Sequence, residues 1–138
     1  MNPQFRFYCE RVIRKLLQHY IDNPAVIGYQ IDNETSSAGA ANPDVQAGFV
    51  DHLKKKFKTV DEISHDWGLN YWGQRLNDWS EVPPQEGIIN PGWKLEWERY
   101  SQWITTDFLV WQASIVNQYK RPDQFITHDL AGPPRAQV

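Results

Sequence analysis

The chain opens with a repeating pattern of apolar positions that predicts an amphipathic helix. Asn2 and Pro3 form a helix-start signal, because an asparagine side chain caps a helix and proline fits its first position. The run 22–24, Asp-Asn-Pro, ends the helix, since the residue before a proline is turned away from helical backbone. The apolar side chains that recur at this helical spacing are Phe5, Tyr8, Cys9, Val12, Ile13, Leu16, Leu17 and Tyr20.

A strand of unusual character is predicted next, from Ala25 to Asn33, because this segment is rich in β-branched and aromatic residues. Alternation gives it one apolar face, Ile27, Tyr29 and Ile31, and one polar face, Gly28, Gln30, Asp32 and Glu34. A polar strand face away from water is costly unless its groups are paired. The interior of an α/β barrel suits this pattern, because barrel strands carry functional groups at their carboxyl ends.

Two further helices are predicted after a loop of small residues. Asn42 and Pro43 repeat the helix-start signal. Thr59 and Glu62 have capping-box spacing and open a short helix that runs to Asp66. The apolar stripe of the first of these helices consists of Val45, Phe49, Leu53 and Phe57.

A long aromatic-rich loop, 69–92, precedes the last predicted helix, which starts at Asn90 and Pro91. The stripe of this helix is Trp93, Trp97, Tyr100, Ile104, Phe108, Trp111, Ile115 and Tyr119, and at this spacing it indicates packing. A second strand is predicted from Phe125 to Leu130, and it also carries polar groups at its end, His128 and Asp129.

The order helix, strand, two helices, loop, helix, strand indicates a β/α alternation and therefore an α/β fold with a parallel sheet. Two strands cannot close a barrel, which needs eight. We therefore predict that residues 1–138 are a fragment of one barrel domain, a partial (β/α)8 TIM barrel.

Composition narrows the classes of function. The formal net charge of −3 gives no basic surface for nucleic acid or an anionic membrane. No apolar run is long enough to span a membrane and no signal peptide is evident, so a cytoplasmic protein is expected. The single cysteine, Cys9, excludes an internal disulfide and a cysteine-built zinc site, and a buried, inert thiol is expected. The 14% aromatic content is high, and tryptophan builds both cores and sugar-stacking platforms.

The acid and amide that end the first strand suggest glycoside cleavage. A glycosidase needs a carboxylic acid to protonate the leaving oxygen, which is a role for Glu34. Asn33 beside it can hold a sugar hydroxyl. From this pattern alone, the alternative is that the two residues merely begin a loop or cap a helix.

A series of segments along nearly the whole chain carries a family resemblance. The segments are 21–34, which ends in Asp-Asn-Glu; 49–57; 59–63; Asp66-Trp67-Gly68; Tyr71-Trp72-Gly73-Gln74; Asp78-Trp79; Asn90-Pro91; and 127–132. In order and spacing they resemble the glycoside hydrolase family 42 β-galactosidases, around the acid/base residue of that family.

This resemblance implies a (β/α)8 barrel with retaining chemistry, of which the chain covers about strands 4 and 5. It implies that Glu34 is the general acid/base and that Asn33 contacts the sugar. Trp72 matches a loop tryptophan near the galactose pocket, and His128 and Asp129 fall at the end of strand 5. A galactoside is the implied substrate, and no cofactor is implied.

Departures from the family limit what can be carried over. Residues 35–41 stand where many members have a zinc-binding cysteine cluster, so no metal is predicted. The family usually has asparagine after the histidine or threonine of strand 5, where this chain has Asp129, so the roles of His128 and Asp129 stay open. The family's nucleophile lies near strand 7, and no residue of this chain matches it. The chain alone is therefore expected to be inactive.

Three alternatives remain open on the sequence. Another barrel glycosidase with Asn-Glu at strand 4 fits the motif equally well. A non-catalytic fragment that binds carbohydrate or protein through tryptophans such as Trp72 and Trp79 also fits. Self-association into a homo-oligomer is a third alternative, since amphipathic helices and open strand edges leave apolar surface and unpaired hydrogen-bonding groups.

Overall fold

A computed structural model of the protein describes residues 2–37, 40–86 and 89–130. Residues 38 and 39 of the loop after Glu34, and residues 131 and 132 of the last matched segment, lie outside these ranges. The described residues form two compact units. The first unit comprises residues 2–37 and 102–130, and the second comprises residues 40–86 and 89–101.

The helices and strands follow the predicted order. They are α1 (Pro3–Tyr20), β1 (Gly28–Gln30), α2 (Pro43–Phe57), α3 (Val60–Asp66), α4 (Pro91–Val116) and β2 (Phe125–Thr127). The predicted loop contains two short 3-10 helices, Leu69–Trp72 and Trp79–Glu81. Within the described ranges, no helix is both long and apolar enough to cross a membrane.

In the first unit, β1 and β2 pair in parallel, with Gly28 opposite Phe125 and Gln30 opposite Thr127. The predicted α/β alternation is therefore confirmed in this unit. Its core consists of Leu17, Tyr29, Ile115 and Val116, packed against Ile13, Val26, Ile31, Trp111, Tyr119 and Ile126. Helices α1 and α4 thus both pack against the strand pair, α1 through Leu17 and α4 through Ile115.

Most of the apolar stripe of α1 is exposed in this structure. Leu17 is buried, with 1% of its surface exposed, but Val12 is 64% exposed and Tyr8 is 59% exposed. Cys9 is half-buried, not enclosed in a core as expected. The helical period is correct, but a stripe becomes buried only where other elements cover it, and the described elements cover only part of α1.

The first strand is shorter than predicted at both ends. Ile27 precedes β1 and is 69% exposed, so its assignment to a buried strand face is wrong. Asp32 and Glu34 have positive φ values of 55° and 50°, so the extended backbone ends before Asp32. Left-handed backbone is costly for residues other than glycine, and asparagine and aspartate tolerate it best. The segment therefore ends in a turn.

The second unit confirms the helix starts read from the sequence. The Asn42 side chain accepts a hydrogen bond from the backbone N–H of Val45 at 3.0 Å, and Pro43 is the first residue of α2. The Thr59 hydroxyl accepts from the backbone N–H of Glu62 at 3.1 Å and so caps α3. Both caps satisfy backbone donors that the first turn of a helix leaves unpaired.

Phe49 of α2 is the centre of the aromatic core of the second unit, and none of its surface is exposed. Its ring meets those of Trp97 at 4.8 Å, Tyr100 at 5.4 Å and Trp93 at 6.3 Å between centroids. The aromatic stripe predicted at the start of α4 is therefore packing, because the side chains at positions 93, 97 and 100 are all buried.

A buried carboxylate lies beside this core. The Glu96 side chain is 5% exposed and forms an ion pair with Lys56. His52 Nε2 lies 2.8 Å from Glu96 Oε1, and Arg99 approaches the other oxygen at 3.8 Å. These groups satisfy a charge that would otherwise be costly to bury.

Candidate active site

The polar groups predicted at the strand ends lie at one edge of the sheet. Because β1 and β2 are parallel, their carboxyl ends point in the same direction. Residues 32–34 follow β1, and His128 and Asp129 follow β2. The structure therefore brings four of the five predicted site residues, Asn33, Glu34, His128 and Asp129, to the same end of the strand pair.

Backbone hydrogen bonds continue between the two segments after the strands end. The N–H of Ile31 donates to the carbonyl of Thr127 at 2.9 Å, and the N–H of Glu34 donates to the carbonyl of Asp129 at 3.0 Å. The second bond attaches the backbone of Glu34 to the turn that follows β2. The Glu34 side chain is exposed, so a ligand from solvent can reach it.

Asp32 holds the turn that precedes Glu34. Its Oδ1 accepts from the backbone N–H of Asn33 at 2.7 Å, and its Oδ2 accepts from Gln112 Nε2 of α4 at 3.3 Å. Gln112 is 7% exposed, so this bond fixes the turn to a buried part of the first unit. The positive φ of Asp32 is thus supported by interactions on both carboxylate oxygens.

Gln30 connects the strand to the same turn. Its Nε2 lies 3.1 Å from the carbonyl oxygen of Asp32 and 3.3 Å from Oδ1 of Asn33. The side chain of Asn33 is therefore held by the residue that ends β1.

His128 ties the two strand ends together through its ring. Its Nδ1 lies 2.7 Å from the carbonyl oxygen of Ile31. Because a carbonyl oxygen only accepts, Nδ1 carries a proton in this contact. In the neutral ring Nε2 is then an acceptor, and among the described residues this buried atom has no hydrogen-bond partner.

Trp72 belongs to the second unit, in the 3-10 helix Leu69–Trp72. It is 77% exposed, and its ring packs edge-on against Tyr71, with centroids 5.1 Å apart. Trp79 is half-buried. Trp72 thus has the exposed face that a sugar platform needs, and it is not part of the aromatic core of its unit.

Three of these residues, Gln30, Asp32 and Gln112, had no site role in the sequence-based prediction. Gln30 and Asp32 were placed on the polar strand face, which is the signal that could have identified them. Gln112 carried no signal, because a single glutamine in a long helix is ordinary, and only the fold shows that it meets Asp32. Within the described ranges, no group of three or more histidine, cysteine, aspartate and glutamate side chains is placed to hold a metal ion.

A parallel strand pair with helical crossovers and polar groups at its carboxyl end is the arrangement of a β/α-barrel enzyme site. The family model described as beta-galactosidase, that of glycoside hydrolase family 42, matches residues 1–138. The chain belongs to this family of β-galactosidases, and the predicted membership is confirmed.

Individual relatives agree with this assignment. The chain is 33% identical over 107 residues to β-galactosidase BbgII of Bifidobacterium bifidum, a match that covers 72% of this chain and 16% of the relative. It is 33% identical over 135 residues to β-galactosidase BglY of Alicyclobacillus acidocaldarius, covering 95% of this chain and 19% of the relative. The chain thus spans less than a fifth of the length of these two relatives.

A solved structure shows the fold. The β-galactosidase of the Antarctic haloarchaeon Halorubrum lacusprofundi superposes with a TM-score of 0.87 at 23% identity, over 99% of this chain and 21% of that one. The predicted fold class is confirmed: the chain is α/β and forms part of a TIM barrel.

Proposed function

We propose that the chain supplies the general acid/base of a retaining β-galactosidase and that Glu34 is this residue. The observation that carries the proposal is the position of Glu34, exposed at the carboxyl end of β1 and attached through its backbone to the end of the parallel strand β2. Membership of the β-galactosidase family supplies the reaction class, the hydrolysis of terminal β-galactosides.

In the first step of this reaction, the Glu34 carboxyl group donates its proton to the glycosidic oxygen as the bond from that oxygen to the sugar carbon breaks. A second carboxylate, from outside this chain, attacks the same carbon and forms the glycosyl-enzyme bond. In the second step, the Glu34 carboxylate removes a proton from water, whose oxygen displaces the second carboxylate and releases the sugar.

The other site residues are proposed to bind the sugar. Asn33 is proposed to donate to a sugar hydroxyl, because it directly precedes Glu34 and is exposed. Trp72 is proposed to stack on a sugar ring, because its ring is exposed. His128 and Asp129 are proposed to contact the sugar from the end of β2, because they lie at the same end of the strand pair as Glu34.

The test is Glu34→Gln in the polypeptide encoded by the complete reading frame that contains this chain. Amide cannot donate a proton to the leaving oxygen, so kcat/KM for an alkyl galactoside should fall by roughly 10²–10⁴-fold. The leaving group of a dinitrophenyl galactoside needs little protonation, so kcat/KM for this substrate should fall much less. This dependence on the leaving group distinguishes loss of a general acid from loss of folding.

Glu98→Gln is the matched control, because Glu98 is an exposed glutamate on α4. This substitution should leave kcat/KM unchanged for both substrates. If Glu34→Gln lowers kcat/KM equally for both substrates, or leaves kcat/KM for the alkyl galactoside unchanged, the assignment is contradicted. Absence of β-galactoside hydrolysis by the complete wild-type polypeptide, with turnover of another glycoside, would support a different Asn-Glu glycosidase.

A further inference from the structure

We propose that Gln30 is a positioning residue that sets which end of the Asn33 carboxamide faces the sugar. This inference rests on the proposed function for the contact between Asn33 and the substrate. Gln30 makes its described side-chain hydrogen bonds to Asp32 and Asn33, and it is proposed to act only through Asn33.

The polarity of the contact between Gln30 and the carbonyl of Asp32 is fixed by chemistry. Gln30 approaches the backbone carbonyl oxygen of Asp32 at 3.1 Å, and a carbonyl oxygen can only accept. The Gln30 atom at this contact must therefore be the amide nitrogen. The same nitrogen lies 3.3 Å from Asn33, so the Asn33 atom that faces it must be the acceptor Oδ1.

The orientation of Asn33 follows from this contact. With Oδ1 held by Gln30, Nδ2 and its two donor hydrogens lie on the other side of the carboxamide. Asn33 then offers a donor to a ligand oxygen. The reversed carboxamide would offer an acceptor and would place two N–H groups against each other at Gln30, which is unfavourable.

The acceptor that fixes this polarity is itself held in place. Asp32 has its side chain bound at both oxygens, by the Asn33 backbone N–H and by the buried Gln112. Its carbonyl therefore cannot turn away from Gln30 without breaking these bonds. Gln112 thus holds Asp32, Asp32 fixes the polarity of Gln30, and Gln30 orients Asn33.

A double-mutant cycle in the complete polypeptide tests the proposal. Gln30→Met keeps the length of the side chain, removes its donor and adds no charge near Glu34. It should lower kcat/KM for a β-galactoside by about tenfold, the worth of one orienting hydrogen bond of ordinary strength. In an Asn33→Ala background the same substitution should change kcat/KM by less than about twofold, because the group that Gln30 orients is gone. Gln102→Met, at an exposed position of α4, is the control and should have no effect in either background.

A loss of similar size in both backgrounds would overturn the proposal, since Gln30 would then act on stability or on another group. No loss in the wild-type background would overturn it as well.

The hydrogen bond between Gln30 and Asn33 can also be followed without turnover, by NMR of ¹⁵N-labelled asparagine side chains. Gln30→Met should shift the Asn33 side-chain amide resonance. A shift in a polypeptide that does not hydrolyse galactosides would leave the orientation standing and refute the proposed function. Without a shift, the orientation itself is refuted.

Discussion

The backbone N–H of Glu34 donates a hydrogen bond of 3.0 Å to the backbone carbonyl of Asp129. This bond joins the turn after β1 to the turn after β2, beyond the last paired residues of either strand. It fixes the backbone of the proposed acid/base residue relative to the neighbouring strand, whatever side chains stand at the two positions. Precise placement of a proton donor depends on such support, because small displacements of a catalytic group reduce its effect greatly.

We expect the 138-residue chain by itself to lack glycosidase activity. Retaining hydrolysis needs two carboxyl groups about 5–5.5 Å apart, and the family resemblance assigns only Glu34 within these residues. The measurement is the release of nitrophenol from a nitrophenyl β-galactoside by the purified chain. Turnover that disappears in Glu34→Gln would show that a second carboxylate of this chain serves as the nucleophile.

Phe49→Ala should destabilise the second unit by about 3–5 kcal/mol, the usual cost of removing a buried phenylalanine ring. Phe49 is fully buried, and rings on α4 surround it, so the cavity cannot be filled by a small adjustment. Urea unfolding followed by tryptophan fluorescence measures the change. Tyr71→Ala is the control, since Tyr71 is 81% exposed, and it should change the free energy of unfolding by no more than about 0.5 kcal/mol. Similar effects of the two substitutions would contradict the described core.

Glu96 should make the free energy of unfolding depend on pH on the acid side. Burial alone raises the pKa of this carboxyl, but hydrogen bonds from Lys56 and His52 outweigh burial and hold the pKa below its ordinary value of 4.5. The unfolded chain therefore binds a proton at Glu96 at a higher pH than the folded chain does. The stabilisation is complete above the unfolded pKa and is lost as the pH falls through the folded pKa.

Substitution at this position provides the test. Glu96→Gln should cost about 1–3 kcal/mol at pH 7, where charge-assisted hydrogen bonds are lost. It should also reduce the loss of stability as the pH falls below the ordinary carboxyl pKa of 4.5. Denaturant unfolding at several pH values measures both effects. Glu98→Gln, at an exposed position of the same helix, should leave the acid-side slope nearly unchanged. An unchanged slope in Glu96→Gln would show that other carboxyl groups cause the acid sensitivity.

Gly68→Ala should lower the free energy of unfolding of the second unit by about 1–2 kcal/mol, the cost of left-handed backbone for a residue with a Cβ atom. Gly68 has a φ of +62°, and a Cβ atom built there meets no atom within 4 Å, so backbone strain is the only local cost. Gly68→Asn should cost less, because asparagine tolerates this conformation better than alanine. Thermal unfolding compares the two variants, and equal costs for both would argue against a left-handed conformation at this position.

Local sequence chemistry was sufficient to predict the helices of this chain. Asparagine and proline at positions 42 and 43, and threonine at 59, start helices because their side chains and ring act on the nearest backbone groups. Such contacts span a few residues, so they can be read from spacing. The aromatic stripe at the start of α4 was predicted as packing for the same reason, since its spacing gives one helix face.

Burial and the conformation at the strand end could not be predicted in this way. The stripe of α1 has the correct period, but whether Val12 or Leu17 is covered depends on which other elements reach it. The left-handed backbone at Asp32 and Glu34 is unfavourable locally, and the contacts that support it come from Gln112 and Asp129, which are distant in sequence.

The sequence by itself determined the order of elements, the family and the identity of the candidate acid, because these depend on residue type and spacing. The tertiary structure decided how that acid is presented. Parallel pairing of β1 with β2 brings Glu34 to Asp129, and a buried glutamine of α4 holds the turn between strand and acid. Hydrogen bonds between distant segments form only when the chain has folded, so no local pattern could have shown them.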